Sequence, residues 1–546
     1  MNRTRTYNRR QMTASRIPRA RKFFFSIFVA IVFLVVLESA ARLIELIDPV
    51  KPGDQPTIAE KLPGVFRVFV FGGSTVAGVP IPDLGFVSQL EFWLRRIRPE
   101  VPLDVYNFGS SGEPSRHVLR LVKQTIGDEP DLLIVLTGHN EFLSRSVEGR
   151  IEGGVKGIAL WSVRQMALMR VVIRVQNKVR LLFLHPSTSD VMPTRQVPYD
   201  RGSALFRDKV ERYHENLRRI AEIARQRKIP LILATAPANV ADWPPVHKHI
   251  VPPGRDAAYE SSVRVVAGLV EDRRFDEAVA RVGELLRTYP NDSMLLYLSG
   301  RAHTAVGDRD TAGSHLTRAK DLDPIPMRAL SAFNEAVRRQ SAMEGVHLAD
   351  LASILRQHAP GGLVGFSLIV DNCHPTPTGN AIISRELIRI MAGNRLFLEG
   401  EPDLPDPSDQ LEVFLTASTT PESRPMLDLA YLLWCAKYAM KTPFYNFAAS
   451  KMHLEKALAL DATDWRIWVN LATISLLEGR TDAGRSQLIR AIALRGGPMD
   501  PDDRAHAPYL KEALDRSGIA LEHLVESPSG AAPGPDAARP DGTHEN

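Results

Sequence analysis

The sequence predicts an α/β protein with a parallel five-stranded sheet covered by helices on both faces, together with all-α repeats and one N-terminal transmembrane helix. Short apolar segments alternate with amphipathic helical segments from residue 66 onward, the pattern of a parallel sheet that is buried on both faces. A 34-residue periodicity occupies two other regions, and one long apolar run lies near the start of the chain. The chain has 546 residues, of which 44% are hydrophobic and 24% charged, and this composition excludes wholesale disorder and a fibrous design.

The N-terminal region predicts a signal anchor. Residues 1–22 hold eight Lys or Arg residues and no acidic residue, and residues 23–41 follow as a nearly uninterrupted apolar run. A helix of that length spans about 28 Å, close to the thickness of the hydrocarbon core of a bilayer. The positive-inside rule keeps residues 1–22 in the cytosol and exports the body of the protein, with residues 42–64 as a juxtamembrane linker. A signal peptide cleaved near residues 39–41 and a buried core helix are the alternatives.

The charge distribution gives no support for nucleic-acid binding. The chain has 68 Lys and Arg residues, and the eight in the leader leave 60 elsewhere, against 63 acidic residues. A nucleic-acid-binding body would need a basic surplus. Arg is preferred over Lys, a bias typical of GC-rich bacterial genomes, so the predicted location is a single pass through the inner membrane with a periplasmic body.

Five segments predict the strands of the sheet. They cover residues 66–71, 104–107, 132–136, 231–235 and 346–351, of which the last is the weakest. Helical segments are predicted at residues 86–96, 114–126, 206–228 and 378–391. Ligands of such sheets bind at the carboxyl ends of the strands, so we expect functional side chains in the loops that follow them.

The fourth and fifth strands are separated by more residues than a crossover needs, and this surplus carries a repeat. Small and apolar residues recur there at the positions of a 34-residue tetratricopeptide unit, namely Gly300, Ala312, Leu316, Ala319 and Pro324. The same spacing returns near the C-terminus with Ala472, Gly484, Leu488 and Ala491. We therefore predict tetratricopeptide-like repeats at residues 254–324 and 425–524, which could bind a protein partner. Generic helical hairpins are the alternative.

Three further segments are assigned by composition. Residues 400–424 are rich in Pro, Asp and Glu and predict a linker, and residues 525–546 have no apolar period and predict a disordered tail. Residues 163–184 are apolar and basic without an acidic residue. This segment is either an amphipathic helix on anionic lipid or a helix packed on its own domain with a solvated cationic face.

Four short blocks place polar groups at the expected edge of the sheet. In chain order they contain Ser74 in Gly-Gly-Ser-Thr, Gly112 in Gly-Ser-Ser-Gly, Asn140 in Gly-His-Asn-Glu, and Asp371 with His374 in Asp-Asn-Cys-His. A serine at a strand-to-helix turn exposes its hydroxyl, a glycine presents a bare N–H, and an asparagine offers an amide donor. An Asp and a His three residues apart allow the carboxylate to accept from one imidazole nitrogen while the other nitrogen faces the serine.

Taken together, the four blocks resemble the SGNH (GDSL-type) hydrolase family. The resemblance covers residues 65–240 and 340–393, within a hydrolase domain predicted at residues 65–253 and 325–399, and it implies a flavodoxin-like three-layer sandwich. It matches Ser74 to the family nucleophile, Asp371 and His374 to the last block, and Gly112 and Asn140, with the Ser74 N–H, to the oxyanion hole. Two positions depart from the family pattern, because Gly73 stands where an Asp is usual and Glu141 follows Asn140 where an Asp is usual.

The resemblance implies a membrane-anchored, exported serine esterase that acts on an acyl ester through an acyl-enzyme. An O-acyltransferase that acts on a cell-envelope glycan would use the same residues, and a tetratricopeptide scaffold with a vestigial hydrolase domain is a third possibility. Two cysteines, Cys373 and Cys435, are too few for a disulfide framework or a cysteine zinc site, and Cys373 is interpreted as a structural thiol rather than a nucleophile. The spacing of His117, His139, His247 and His249 from nearby acidic residues does not fit a metal site, and neither a metal nor a cofactor is predicted.

Overall fold

The structure is a computed structural model. It describes residues 58–143, 199, 201–246 and 257–524, apart from 442, 443, 502, 504, 522 and 523. The predicted leader, anchor, amphipathic segment and tail, at residues 1–22, 23–41, 163–184 and 525–546, lie outside the described residues, as does most of the predicted juxtamembrane linker. Among the described residues, no helix combines the length and hydropathy needed to cross a bilayer.

A parallel five-stranded sheet forms the centre of the α/β part. Its strands are β1 (Phe66–Gly72), β2 (Leu103–Gly109), β3 (Leu132–Leu136), β4 (Leu231–Ala234) and β5 (Val346–Ala349). They lie in the order β2-β1-β3-β4-β5, and every neighbouring pair is parallel. This is the flavodoxin-like order, in which the direction of winding changes between β1 and β3. The predicted sheet is confirmed.

Helices cover both faces of the sheet because successive strand residues point to opposite sides and both sides are apolar. Val68 and Val70 of β1 belong to one buried cluster, and Phe69 and Phe71 belong to the other. The first face is covered by α2 (Phe86–Ile97), α10 (Leu351–His358) and α11 (Pro377–Gly393). The second face is covered by α3 (Ser115–Thr125), α4 (Ala204–Arg227) and α9 (Ser331–Gln340). A four-residue helix, α1 (Ser74–Ala77), follows β1.

Two sets of helices stand outside this sandwich. Between β4 and α9 lie α5 (Ala257–Glu271), α6 (Phe275–Thr288), α7 (Ser293–Ala305) and α8 (Arg309–Asp321). After α12 (Pro407–Ser418) come α13 (Ser423–Met440), α14 (Phe447–Leu460), α15 (Trp465–Leu477), α16 (Thr481–Arg495) and α17 (Leu510–Ser517).

Helices α5 to α8 pack in succession on one another, as do α13 to α16, while α17 packs on α15, and small residues allow the close approach. A Cβ added to Gly300 of α7 would come within 2.5 Å of Leu316 Cγ on α8, and Gly484 of α16 lies equally close against Leu476 of α15. These two glycines occupy small-residue positions of the 34-residue spacing. The assignment of the helices to tetratricopeptide repeats stays a prediction.

The predicted linker and the predicted end of the fifth strand were wrong. Residues 400–424, predicted as a linker, contain α12, whose Phe414 ring lies 5.4 Å from the ring of Phe92 on α2. The proline at the start of α12 suits the first turn of a helix, and the apolar spacing after it outweighs the acidic composition. The fifth strand ends at Ala349, two residues earlier than predicted, because the Asp350 side chain caps α10 by accepting the N–H of Ser353.

Candidate active site

Ser74 stands where β1 gives way to α1, at the carboxyl edge of the sheet. β1 ends at Gly72, Gly73 precedes the helix, and Ser74 is the first helical residue. The side chain is partly exposed, whereas Thr75 and Val76 behind it are buried. The strand-to-helix turn therefore presents the Ser74 hydroxyl at the rim of the sheet while the next residues anchor the turn.

Asp371 and His374 lie on a tight loop just before α11. The Val370 N–H donates to the carbonyl of His374, and Ile369 pairs with Pro375, so the backbone closes on itself around the four-residue block. Asp371 Oδ1 accepts the backbone N–H groups of Cys373 and His374, each at 2.8 Å. These bonds fix the Asp371 carboxylate before it meets the imidazole.

A continuous hydrogen-bonded triad joins the first and last blocks. His374 Nδ1 donates to Asp371 Oδ2 at 2.6 Å, and the Ser74 hydroxyl donates to His374 Nε2 at 2.7 Å. Asp371 and His374 are buried, and Ser74 is the exposed end of the triad. In this tautomer Nε2 is unprotonated and can receive the hydroxyl proton as the oxygen attacks an electrophile.

Asn140 and the turn around Gly112 lie beside the nucleophile position. Asn140 Nδ2 donates to the carbonyl of Glu113 at 3.1 Å, and a Cβ added to Gly73 would lie 2.6 Å from the same nitrogen. The Ser110 N–H donates to the carbonyl of Gly72, which ties the turn to the end of β1. An amide nitrogen carries two hydrogens, so one Asn140 N–H remains after the bond to Glu113.

Gly112 is required by the shape of its turn. The Glu113 N–H donates to the carbonyl of Ser110, and Gly112 has a φ of 77° at the third position of that turn. A positive φ at this position defines a type II turn and favours glycine. The structure thus places all five residues singled out in the sequence at one edge of the sheet. Their roles in catalysis stay predictions.

Glu141, which directly follows Asn140, binds the first turn of α3. Its buried carboxylate accepts the Ser115 N–H at 2.7 Å and the Ser115 hydroxyl at 2.8 Å, which satisfies the first turn of α3. Burial raises the pKa of Glu141, and these hydrogen bonds work against that rise. Glu141 therefore holds α3 against the loop that carries Asn140, a structural role that the sequence did not predict.

His139 is buried next to Asn140 and is held as a neutral imidazole. Its Nδ1 accepts the Ala329 N–H at 3.1 Å, so the proton of the neutral ring resides on Nε2. Burial, with the nearby His374 ring, lowers the pKa of His139 to about 3. His139 therefore places no positive charge beside the triad at neutral pH.

Two aromatic residues of α13, which the sequence did not predict as part of the site, also contact the triad. The rings of Trp434 and Tyr438 lie 6.0 Å and 5.7 Å from the imidazole of His374, both edge-on to it. Their four-residue spacing indicates one face of a helix. The spacing cannot reveal which part of the chain that face contacts.

Asp371, Cys373 and His374 also place metal-ligand atoms within 4.8 Å of one another. The carboxylate and the imidazole are already bonded to each other, and burial beside Asp371 raises the pKa of the Cys373 thiol well above its usual value. A protonated thiol is a poor ligand. The geometry fits a hydrogen-bonded Asp–His pair, and the expectation of no metal stays a prediction.

No protein-family model matches the sequence, and no curated protein matches it. Solved structures similar to the chain include LAE5, an α/β hydrolase from the metagenome of Lake Arreo, Spain, at 15% identity over 61% of this chain and 96% of that one, with a TM-score of 0.27. The acetylxylan esterase Axe2 from Geobacillus stearothermophilus matches at 13% identity over 60% and 94%, also with a TM-score of 0.27. A protein described as a GDSL-like lipase, from Parabacteroides merdae, matches at 13% over 61% and 98%, with a TM-score of 0.29. Similarity at this level identifies neither the family nor the activity of this chain.

Proposed function

We propose that the chain is a serine esterase of the SGNH type, which transfers an acyl group from an ester to water. The observation that carries this proposal is the triad, in which Asp371 orients His374 and His374 accepts the hydrogen of Ser74 across two bonds of 2.6 and 2.7 Å. Ser74 and His374 are 300 positions apart in the chain, and only the fold brings them together.

The proposed first step forms the acyl-enzyme. Ser74 Oγ attacks the carbonyl carbon of the ester while its proton moves to His374 Nε2, and Asp371 stabilises the resulting imidazolium. The bond between the carbonyl carbon and the alcohol oxygen then breaks, and His374 gives its proton to that oxygen. In the second step a water molecule occupies the place of the alcohol, and its oxygen attacks the carbonyl carbon of the acyl-enzyme while His374 takes its proton. The bond between that carbon and Ser74 Oγ then breaks, His374 returns the proton to Oγ, and the acid leaves.

The negative charge of each tetrahedral intermediate needs donors near Ser74. We assign these to the backbone N–H groups of Ser74 and Gly112 and to the remaining N–H of Asn140. Asn140 is suited to the role because Glu113 fixes its amide in place before the substrate arrives. One such donor contributes about 2.7–4 kcal/mol to lowering the barrier.

Hydrolysis of short-chain esters tests the proposal. We expect Ser74→Ala and His374→Ala each to lower kcat by at least about 10⁴-fold, and Asp371→Asn to lower it by about 10⁴-fold, because the triad acts as a unit. Ser486→Ala, on the remote helix α16, serves as the matched control and should retain full activity. Thermal melting should show that all four variants are folded. A folded Ser74→Ala variant with wild-type activity would refute the proposal.

We also propose that this esterase is tethered to the inner membrane with its body exported. The support is the basic leader followed by the apolar run at residues 23–41. The helices at residues 254–324 and 425–524 are proposed to form tetratricopeptide-like repeats, supported by the 34-residue spacing and the close packing at Gly300 and Gly484.

A further inference from the structure

Trp434 and Tyr438 of α13 form a stacked aromatic pair beside His374, here called the aromatic wall. The two rings stack at 4.9 Å with an angle of 13° between their planes, and both meet the imidazole edge-on. The wall comes from the C-terminal helices, whereas the triad belongs to the α/β part. A region outside the sandwich therefore contributes surface to the candidate active site.

The wall is fixed to the loop that carries the triad. The Tyr438 hydroxyl donates at 3.2 Å to Oδ1 of Asn372, the residue between Asp371 and Cys373 in the chain. The centroid of the Phe444 ring lies 5.4 Å from that of the Tyr438 ring. His453 of α14 donates from Nε2 to the carbonyl of Val370 on the same loop. Because Tyr438 is held from several sides and Trp434 stacks on it, the wall is a rigid surface rather than a mobile side chain.

The two rings differ in accessibility. Tyr438 is only 8% exposed, which suits a residue that packs and positions, whereas Trp434 is partly exposed, as is Ser74. Trp434 is thus the member of the pair that a ligand can touch.

The position of the wall relates it to the alcohol part of the substrate. In the proposed reaction His374 Nε2 gives its proton to the alcohol oxygen, which must lie about 3 Å from that nitrogen. The centroid of the Trp434 ring lies 6.0 Å from that of the His374 imidazole, a distance close to the width of one six-membered sugar ring. An alcohol as small as ethanol is too short to cover the indole, and a ring-shaped alcohol is large enough.

We propose that the aromatic wall binds the pyranose ring of a sugar ester, with Trp434 as the residue that selects for it. A pyranose presents flat arrays of C–H groups that pack on an indole, and a rigid aromatic surface loses little conformational entropy when it binds them. This inference rests on the proposed esterase activity and names the alcohol class of its substrate, a carbohydrate hydroxyl.

The test compares two esters that share an acyl group, acetyl or butyryl, and differ in the alcohol. One is the ethyl ester and the other is an ester of methyl glucopyranoside. Both are assayed with the wild type, Trp434→Ala, Trp434→Phe and Trp468→Ala. Trp468 is the matched control, a partly exposed tryptophan of α15 that contacts Arg490 and not the triad.

We expect Trp434→Ala to raise KM for the sugar ester by about threefold to tenfold, the size of one aromatic contact, and to lower kcat/KM for the sugar ester at least about threefold more than for the ethyl ester. Trp434→Phe should recover part of the loss, and Trp468→Ala should match the wild type. Equal losses of kcat/KM on both esters would show that Trp434 only supports the fold of the site. No loss on either ester would show that Trp434 does not contribute to the site. Both results overturn the inference, as does a wild type that cleaves the ethyl ester alone. A wild type that cleaves neither ester overturns the proposed function itself.

Discussion

Gly73 leaves room for the amide of Asn140. A side chain at this position would begin 2.6 Å from Asn140 Nδ2, closer than ordinary atomic contact, and the Asn140 amide is already held by Glu113. A larger side chain therefore cannot be introduced here without moving the proposed oxyanion donor. In this chain, glycine next to the nucleophile is a consequence of where the amide lies.

Gly73→Ala tests this interpretation with a single added carbon. We expect kcat for ester hydrolysis to fall by about 10²-fold, the effect of losing one oxyanion donor, with KM little changed. Gly127→Ala is the control, since a Cβ there meets no atom within 4 Å and the residue is exposed. A Gly73→Ala variant with unchanged kcat would show that the amide does not act from its present position.

His139 gives the protein a pH dependence with a defined sign. Its pKa in the folded protein is about 3, below the value of about 6.5 for a free histidine, so the unfolded chain binds the extra proton first. The stability that neutral His139 contributes is fully present above pH 6.5 and is lost as the pH falls toward 3. Between pH 7.5 and pH 5 the expected loss is about 2 kcal/mol.

His139→Asn should remove this part of the acid sensitivity. The Asn side-chain oxygen can replace Nδ1 as acceptor for the Ala329 N–H, and it does not titrate in this range. Urea titrations at pH 7.5 and pH 5 measure the free energy of unfolding. We expect its decrease between the two pH values to be about 2 kcal/mol smaller in this variant than in the wild type. The solvent-facing His358→Asn should behave as the wild type. Identical acid sensitivity of His139→Asn and the wild type would contradict the account.

At the scale of elements, the segment between α8 and α9 ties the inserted helices to the loops above the sheet. Its buried Arg328 donates to the carbonyls of Asn239 and Trp243 at 2.8 and 2.7 Å and contacts Asp323 at 3.5 Å. Burial raises the pKa of Asp323 to about 6 and lowers that of Arg328. Both shifts have the same cause, the cost of holding a charge away from water.

Arg328→Met should destabilise the protein by about 3–5 kcal/mol at pH 8, because it removes the guanidinium that faces the buried Asp323 carboxylate. The raised pKa of Asp323 means that its protonated form suits the folded state, so the deficit should shrink as the pH falls toward 5. Denaturation at the two pH values measures this change. Arg328→Met combined with Asp323→Asn should be more stable than Arg328→Met alone. A deficit that grows on acidification would exclude this explanation.

The sequence predicted elements well where the pattern is local. Strands β3 and β4 were recognisable because they are apolar on both faces, and β3 was predicted at its observed bounds. The end of β5 and the helix α12 were wrong because each depends on a competing signal, a helix cap at Asp350 and an apolar face within an acidic segment. Composition alone does not show which signal prevails.

At the scale of the whole molecule, the candidate site divides into a predictable and an unpredictable part. Ser74, Gly112 and Asn140 each follow a strand, and parallel strands end at one edge, so their convergence follows from the topology. Asp371 and His374 could be placed beside them only through the resemblance. The aromatic wall and the contact of Ala329 with His139 were not predictable, because they join segments whose packing no local pattern encodes.

Covalent labelling with a fluorophosphonate tests the central claim most directly, because the probe reacts with a serine only when a base and an oxyanion site activate it. The account predicts that mass spectrometry of the labelled full-length protein will find the phosphonyl group on Ser74. Labelling should be absent in Ser74→Ala and slower by orders of magnitude in His374→Ala. A folded wild-type protein that carries no label on Ser74, or equal labelling rates with and without the His374 imidazole, would contradict it.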